Sequence, residues 1–449
     1  MADKNPTLRS SMTRRQALTR AAALGLTVPA LAGLSASGAF AAPRPSASGL
    51  GRSFQDVTEL KFYHDKSPWQ DYFTKMSELA TEQIQISFEP IPYSDTTSYQ
   101  QVINSSISTS DAPDIFTWWS GYRMEDMYKS GNLLDVSDLW QAAIAAGDLP
   151  ETLSAAFTFD GKQYGMPQSA SYWVMYYNKK VFADNGLEVP TTWDEMMSHA
   201  ETLKGAGVTP FYQTVDGRWP TFIWFEEFLI RQDPQFYVDL CAGKAKYTDP
   251  TAVQALELWK GMIDKEYFTE VDIPMDENMV AMFQAGEIAM VPLGTWFQQQ
   301  FIAADMVPGE DYDAFFMPNI NADLGKNVAI VETGSLCIPA SPPNVEASKK
   351  LAAWWETEPA HSAWTELLGD SGANPKVQHS NPVLNNVTTM LSEGSYELLQ
   401  RYWEATPPAI VENAVDELAR FVLNPDQGQS VLEAIQKIAD EEWARRETA

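Results

Sequence analysis

Cysteine and histidine are scarce in this sequence, which has two Cys and four His among 449 residues. Cys241 and Cys337 lie too far apart for a C-x-x-C site, and the sequence leaves open whether they pair. An H-E-x-x-H motif and Cys/His clusters are missing, so no zinc site is expected. Walker, G-x-G-x-x-G and G-x-S-x-G motifs are missing too. We therefore predict a protein that is not an enzyme and needs no cofactor.

Basic residues are also few, with 31 Lys and Arg against 60 Asp and Glu, and the formal net charge is −29. Binding to phosphate backbones requires a positive surface, so nucleic acid is not an expected partner. After residue 41, no apolar run reaches the roughly 18 residues that a membrane span needs. The composition therefore indicates a solvated acidic surface on a chain that does not span a membrane.

Residues 1–41 have the organisation of an export signal. The basic pair Arg14 and Arg15 precedes an apolar run that ends in an A-x-A cleavage site. This pair resembles the twin-arginine signal, although Ala17 stands where that signal prefers Phe. Residues 42–53 are rich in Pro, Ser and Gly and are interpreted as a linker. We predict an exported protein, periplasmic or extracellular, that is soluble after signal removal.

Paired carboxylates are the one catalytic pattern that remains. Glycosidases need only two acidic side chains, and Glu226 with Glu227, or Asp276 with Glu277, offers such a pair. Adjacent residues of a helix do not face each other, and adjacent acids arise by chance in so acidic a chain. A secreted carbohydrate-active enzyme therefore stands only as an alternative.

Aromatic residues are abundant, with 15 Trp, 17 Tyr and 21 Phe. From Leu60 onward, short apolar runs alternate with amphipathic segments, which indicates an α/β fold. The clearest helix follows Thr192, which forms a capping-box pattern with Glu195, and it ends near Gly205. Its apolar residues recur on one face and are expected in the core: Trp193, Met196, Met197, Ala200 and Leu203.

Several predicted strands end in an aromatic or His residue directly before a helix. They are LKFYH (60–64), PDIFTW (113–118) and EIAMVPL (287–293), the last followed by Gly-Thr-Trp. Ligands of open α/β sheets bind at the carboxyl ends of the strands. Indole and phenol faces can cover the apolar face of a sugar ring while polar groups bond its hydroxyls. The pattern therefore favours a carbohydrate site lined by aromatic rings.

The segment GMPQSASYWVMYYNKKVFADNGLEVPTTWDEM (165–196) closely resembles the central signature of family 1 extracellular solute-binding proteins of ABC importers. It shares the Gly-x-Pro start, the Tyr-Asn-Lys middle and the Pro-x-Thr-Trp-x-Glu end of that signature. The flanking stretches APDIFTWWSGYR with SGNLLDVSDLW, FQAGEIAMVPLGTW and GSLCIPA match in the expected order. The resemblance covers essentially all of the chain after the export signal.

The resemblance implies a type II periplasmic-binding-protein fold, in which two α/β lobes are joined by hinge crossings. The crossings are expected near residues 164–167, 331–334 and 371–374. The N-terminal lobe would comprise residues 54–165 and 332–372, and the C-terminal lobe would comprise residues 166–331 and 373–449. A ligand that touches both lobes favours the closed form, whose shape the membrane permease reads.

The resemblance also implies which side chains contact the ligand. Trp118 and Trp296 align with the aromatic platforms of the family and are expected to enclose a sugar ring. Glu332, at the second crossing, is the expected acceptor for sugar hydroxyls. The other candidate ligand-binding residues lie in neighbouring loops and crossings: His64, Tyr93, Trp119, Tyr122, Ser171, Tyr172, Trp173 and Trp219.

We therefore predict a monomeric, non-catalytic receptor that captures a sugar or oligosaccharide and delivers it to the permease subunits of an ABC importer. The alternative within the binding proteins is a receptor for a polyamine, a metal chelate or an organic acid. A ligand with carboxylates or phosphates should need clustered Arg, and chiefly Arg123 and Arg218 stand near the expected cleft. The sequence does not choose among monosaccharide, disaccharide and glycoside.

Overall fold

The computed structural model describes residues 57–393 and 396–448. The predicted export signal, residues 1–41, and the predicted linker, residues 42–53, lie outside this part of the chain. Among the described helices, none is long and apolar enough to cross a membrane.

The described strands form two main sheets and a small ribbon. In chain order they are β1 (Thr58–His64), β2 (Ile86–Pro92), β3 (Ile115–Trp119), β4 (Thr158–Phe159), β5 (Lys162–Gln163), β6 (Met166–Pro167), β7 (Ser171–Asn178), β8 (Thr209–Phe211), β9 (Ile288–Gly294), β10 (Tyr312–Phe315), β11 (Asn327–Glu332), β12 (Gly334–Cys337) and β13 (Tyr396–Gln400). The ribbon pairs β4 with β5.

The α-helices between the strands cover both sheets. They span Gln70–Ile84, Thr96–Ser106, Tyr122–Lys129, Ser137–Ala146, Lys179–Asp184, Trp193–Gly205, Phe222–Gln232, Pro234–Cys241, Pro250–Asp264, Glu277–Ala285, Gln298–Ala303, Val345–Trp355, Glu358–Leu368, Pro382–Glu393, Tyr402–Ala405, Pro408–Leu423 and Gly428–Thr448. Short 3-10 turns stand at Trp219–Thr221 and Thr295–Phe297. The predicted α/β class is confirmed.

Each sheet contains one strand that runs antiparallel to its neighbours, next to a place where the chain changes sheet. The first sheet has the order β2-β1-β3-β12-β6, and β12 runs antiparallel to both of its neighbours. The second has the order β13-β11-β7-β9-β8, with β10 also paired to β7, and β7 runs antiparallel to its partners. Every residue of β7 and of β9 is buried, as expected for strands covered on both faces.

The chain passes between the two sheets at three places. It leaves the first sheet after β6 and enters the second at β7, so this change of sheet falls between Pro167 and Ser171. It returns across Thr333, which alone separates β11 from β12. The third passage follows the helix Glu358–Leu368, which packs on the helix Gln70–Ile84. Each sheet is the centre of one lobe, and the three passages connect the two lobes.

The two cysteines end elements in different lobes. Cys241 closes the helix Pro234–Cys241, and Cys337 closes β12. Both thiols are buried and free, and burial raises the pKa of each to about 12. The pairing that the sequence left open is not formed in this structure.

The helix predicted after Thr192 begins and ends as expected. The amide of Glu195 donates to Thr192 Oγ1 at 3.2 Å, and the amide of Thr192 donates to Glu195 Oε2 at 3.3 Å. The predicted core face is buried at Trp193, Met196, Ala200 and Leu203, while Met197 is half-buried. The capping-box prediction is therefore confirmed.

Removing this cap should weaken the fold locally. We expect Thr192→Ala to lower the free energy of unfolding by about 1 kcal/mol, because the helix start loses an acceptor for an unpaired amide. Urea denaturation measures the change. Thr202→Ala in the same helix is the matched control, and it should cost little because its hydroxyl bonds only the carbonyl of Ser198. Equal losses for both variants would contradict the assignment of the cap.

Candidate ligand-binding site

A cavity of about 580 Å³ lies between the two lobes. Its walls are formed largely by residues at or just after the carboxyl ends of β1, β3, β9, β11 and β13: Asp65, Lys66, Trp119, Trp296, Glu332, Arg401 and Trp403. The turn at Trp219 and the helix Pro408–Leu423 complete the wall on the side of the second lobe. We call this space the main cavity.

The aromatic rings of the main cavity come from both lobes. Trp119 ends β3 of the first sheet, whereas Trp219 and Trp296 stand on the second lobe with ring centroids 6.2 Å apart. All three are half-buried, so part of each indole is in contact with protein. Gly294 lets Trp296 fold back over the strand end, because a Cβ there would stand 2.2 Å from the indole nitrogen.

The two adjacent tryptophans of β3 differ in burial and border different cavities. Trp118 is only 8% exposed, its ring packs against Tyr99, and its Nε1 donates to the carbonyl of Arg123 at 3.1 Å. It borders a different cavity from the one that Trp119 and Trp296 line. The expected enclosure of one groove by Trp118 and Trp296 is therefore not what the structure shows. Successive side chains of a strand point to opposite faces, so Trp119, one residue further along, lines the main cavity instead of Trp118.

The remaining predicted residues divide between the cavity walls and the core behind them. Trp173 is 1% exposed and supports Trp219 from behind, with ring centroids 6.2 Å apart. Tyr172 is buried in β7 next to it. Tyr93 packs at a tilted angle against the rings of Tyr63 and Tyr99, and Tyr122 borders a third, more apolar cavity.

His64 is fully buried at the end of β1. Its Nε2 lies 2.9 Å from the side-chain oxygen of Gln70, whose own amide donates to the carbonyl of Pro90. Since that amide oxygen can only accept, His64 donates through Nε2. Burial lowers the pKa of His64, so the ring is neutral near pH 7. The residue is placed behind the wall of the main cavity rather than on it.

Each basic side chain that lines the main cavity has a carboxylate partner. Lys66 Nζ lies 2.8 Å from Asp65, and Arg123 Nη2 lies 2.7 Å from Glu412. Arg218 is bonded to Asp416, and Arg401 to Glu332 and Glu404. The sequence pointed to Arg123 and Arg218 but not to Lys66 or Arg401. Arg401 follows a short strand far along the chain, and no local pattern signals its partner at Glu332.

A smaller cavity of about 390 Å³ adjoins the main one. Lys66, Trp296 and Glu332 line both spaces, and Trp69 and Tyr72 add aromatic wall to the smaller one. Its polar wall includes Ser169, Ser171, Gln299, Gln300 and Asp370. The two cavities therefore offer a continuous path along the ring of Trp296.

Asp370 connects the first and third passages through hydrogen bonds beside the smaller cavity. It accepts hydrogen bonds from the hydroxyls of Ser171 at 2.5 Å and Thr295 at 2.6 Å, and from the amide of Ser371 at 2.7 Å. Burial is the main cause that raises the pKa of Asp370 to about 6.

The positions of the described residues bear on the metal-ligand clusters and acid pairs considered above. No group of three or more His, Cys, Asp or Glu side chains stands close enough to hold a metal ion in the part of the chain that the structure describes. Glu226 and Glu227 are both buried, and Asp276 caps the helix that begins at Glu277. None of these acids lines the main cavity.

Residues 65–361 match the family described as bacterial extracellular solute-binding protein. The chain belongs to this family, and the resemblance stated above is confirmed.

Curated relatives are distant but span much of the chain. An uncharacterized ABC transporter extracellular-binding protein, PH1214 of Pyrococcus horikoshii, is 25% identical over 85% of this chain and 87% of its own. The diacetylchitobiose binding protein DasA of Streptomyces coelicolor is 28% identical over 58% and 59%. The alpha-glucosides-binding periplasmic protein AglE of Rhizobium meliloti is 22% identical over 68% and 72%.

Solved structures of related shape confirm the fold. The bacterial solute receptor AcbH has a TM-score of 0.72 at 20% identity, covering 87% of this chain and 98% of its own. A chitin oligosaccharide binding protein has a TM-score of 0.69 at 21% identity, covering 86% and 99%. The predicted two-lobed, type II periplasmic-binding-protein fold is confirmed.

The pKa of Asp370 makes stability depend on pH. Its folded pKa of about 6 lies above the ordinary value, so the stability it contributes is present at pH 4 and is lost as the pH rises through 6. We expect the unfolding free energy of the wild type, relative to Asp370→Asn, to fall by up to about 3 kcal/mol between pH 4 and pH 7. Urea denaturation at several pH values measures this difference.

The exposed Asp184 supplies the matched control. Asp184→Asn measures the effect of an acid-to-amide change at an exposed position, where a surface carboxylate contributes little to stability. A difference for Asp370→Asn that changes between pH 4 and pH 7 no more than that of the control would contradict the assigned pKa.

Proposed function

We propose that this protein is an exported, monomeric receptor that captures a neutral sugar or oligosaccharide between its lobes and delivers it to the permease of an ABC importer. One observation carries the proposal. Trp119 of the first lobe and Trp219 and Trp296 of the second line one cavity. The names of the relatives AglE and DasA, which state saccharide ligands, support the same ligand class.

The aromatic wall suits the apolar face of a pyranose ring. Covering apolar surface contributes about 25 cal/mol per Å². A micromolar site needs roughly 8 kcal/mol, so one ring is not enough. Several indoles and several hydrogen bonds must act together, and the main cavity offers both. Stacking supplies affinity, while the polar rim selects the arrangement of hydroxyls.

The paired charges of the main cavity favour an uncharged ligand. A ligand carboxylate would have to replace Glu412 on Arg123, or Glu332 on Arg401, at the cost of leaving a protein charge unpaired. Hydroxyl groups can donate to the carboxylates and accept from the guanidinium groups without breaking these pairs. A polyamine or organic acid receptor is therefore the weaker alternative.

Contacts between the lobes support a hinge that closes over the ligand. Arg123 of the first lobe reaches Glu412 of the second beside the main cavity, and Arg446 reaches Glu125 at 2.8 Å. We propose lobes of residues 54–165 with 332–372, and of residues 166–331 with 373–449. The observed changes of sheet at β6–β7 and at Thr333 support limits close to these.

We also propose that the protein is not an enzyme. Burial raises the pKa of Glu332, and the ion pair with Arg401 at 2.7 Å opposes that shift, so this carboxyl is engaged by a cation rather than free to act as a general acid. Glu226 and Glu227 are buried away from the main cavity. A carbohydrate-active enzyme would convert the sugar that it binds, whereas a receptor returns the sugar unchanged.

A thermal-shift panel tests the class of ligand. We expect diacetylchitobiose, raffinose or galactose to raise the melting temperature in proportion to concentration over affinity, because the ligand binds only the folded state. Spermidine, citrate and galacturonate should give no shift. Stabilisation by one of these charged compounds alone would contradict the proposal, and so would hydrolysis of a stabilising sugar during incubation.

The adjacent tryptophans of β3 provide a matched pair of variants. We expect Trp119→Leu to lower affinity for a stabilising sugar at least tenfold, equivalent to about 1.4 kcal/mol, because it removes an indole face from the main cavity. Trp118→Leu should lower the melting temperature and leave affinity within about threefold, because its ring lies in the packing around Tyr99.

Titration calorimetry measures both affinities. Trp296→Ala should match the loss of Trp119→Leu with little change in the unliganded melting temperature. If Trp118→Leu lost affinity and Trp119→Leu kept it, the sugar would stack on Trp118, and the assignment to Trp119 would be wrong.

A further inference from the structure

Arg401 is a buried cation held between two carboxylates. It follows β13 and is 8% exposed. Its Nη1 donates to Glu332 Oε2 at 2.7 Å, while its Nε and Nη2 donate to the two oxygens of Glu404 at 2.9 and 2.5 Å. The ring of Trp173 lies 5.7 Å from the guanidinium carbon. These contacts fix the side chain from several directions.

The backbone of Arg401 reinforces this position. Its amide donates to the carbonyl of Val331 at 3.1 Å, so Arg401 is joined to β11 directly before Glu332. Glu332 is the last residue of β11 and stands one residue before Thr333, where the chain passes between lobes. The guanidinium and the carboxylate are therefore held in register by the same pair of strands.

Glu332 presents its carboxylate to both cavities. Its side chain is 27% exposed and lines the main cavity and the smaller one. Oε2 accepts from Arg401, whereas Oε1 accepts no hydrogen bond of normal geometry from the residues that the structure describes. One oxygen is fixed by Arg401, and the indole of Trp296 is a further donor close to the carboxylate, which lines both cavities.

We propose, resting on the function proposed above, that Arg401 is a positioning residue that keeps Glu332 ionised and aimed at the cavities, where Oε1 accepts a hydroxyl hydrogen bond from the sugar. An ionised carboxylate accepts stronger hydrogen bonds than a neutral group does. A protonated Glu332 would carry a hydrogen at this position, so the charge-assisted contact would be replaced by a weaker hydrogen bond between neutral groups.

The charges that face Glu332 act in opposite directions. Burial raises the pKa of Glu332, and the guanidinium of Arg401 is the main influence that lowers it. Glu404 raises this pKa, while Lys66 and the nearby indole of Trp296 lower it. Asp370 on the third passage is a further acid that senses the charge of Glu332. Changes at Arg401 and Glu404 should therefore move the titration of Glu332 in opposite directions.

A titration of the ligand-free protein tests the first part of the inference, that Arg401 keeps Glu332 ionised. Glutamate labelled with ¹³C at the side-chain carboxyl reports ionisation by NMR, and the signal of Glu332 is assigned by its loss in Glu332→Gln. We expect Arg401→Met to raise the midpoint of Glu332 by at least one pH unit. Glu404→Gln, which is nearly isosteric, should lower it.

The opposite signs separate a positioning role from a structural one. General loosening of the site would shift the Glu332 midpoint the same way in both variants, or not at all, and either result would overturn the inference. If Arg401→Met fails to fold because two carboxylates lose their cation, the lowered midpoint in Glu404→Gln still supports the inference, and an unmoved one rejects it.

The second part of the inference, that Glu332 Oε1 accepts a hydrogen bond from the sugar, is tested by measuring sugar affinity at several pH values. Diacetylchitobiose and raffinose are the probes. We expect Arg401→Met to bind the sugar at least tenfold more weakly than the wild type at one pH unit or more below its own Glu332 midpoint, as measured by NMR, and to recover above that midpoint, where Glu332 is ionised. Glu332→Gln should bind weakly at every pH. A loss in Arg401→Met that is equal at all pH values would overturn the inference.

Failure of the proposed function gives a different result. If neither sugar binds the wild type, the sugar contact of Glu332 is rejected together with that function, while the NMR titration still decides whether Arg401 keeps Glu332 ionised.

Discussion

The main cavity depends on two separate sheets that direct the carboxyl ends of their strands at each other. β1 and β3 of the first sheet bring Lys66 and Trp119, whereas β9 and β11 of the second sheet bring Trp296 and Glu332. Neither lobe carries a complete wall. A ligand that fills this space contacts residues of both sheets, and the proposed hinge closure rests on that shared contact.

The cost of removing charges from water determines which ligands suit the main cavity. Charges taken out of water are costly unless they are paired, and the basic side chains that line the main cavity each have an acidic partner. The ion pairs give the cavity wall many hydrogen-bond donors and acceptors but a total charge close to zero. Such a surface suits polyhydroxyl compounds between indole faces, and it resists an added charge on the ligand.

The fold and the region of the site could be predicted from the sequence, but the orientation of single side chains could not. The helix after Thr192 and the α/β class follow from local patterns, since capping and periodicity are short-range effects. Trp118 and Trp119 are neighbours, and which of them faces the cavity depends on the register of β3 between β1 and β12. Arg401 pairs with Glu332 across 69 positions, a contact that no local pattern encodes. Long-range packing determines such pairs, and the sequence alone does not display them.

A crystal structure of the protein with a stabilising neutral sugar tests the central claim most directly. The account predicts a sugar ring in the main cavity, with Trp119 of one lobe and Trp296 of the other against its faces and a hydroxyl on Glu332 Oε1. A sugar bound to one lobe only, or outside the cavity between the lobes, would contradict the account.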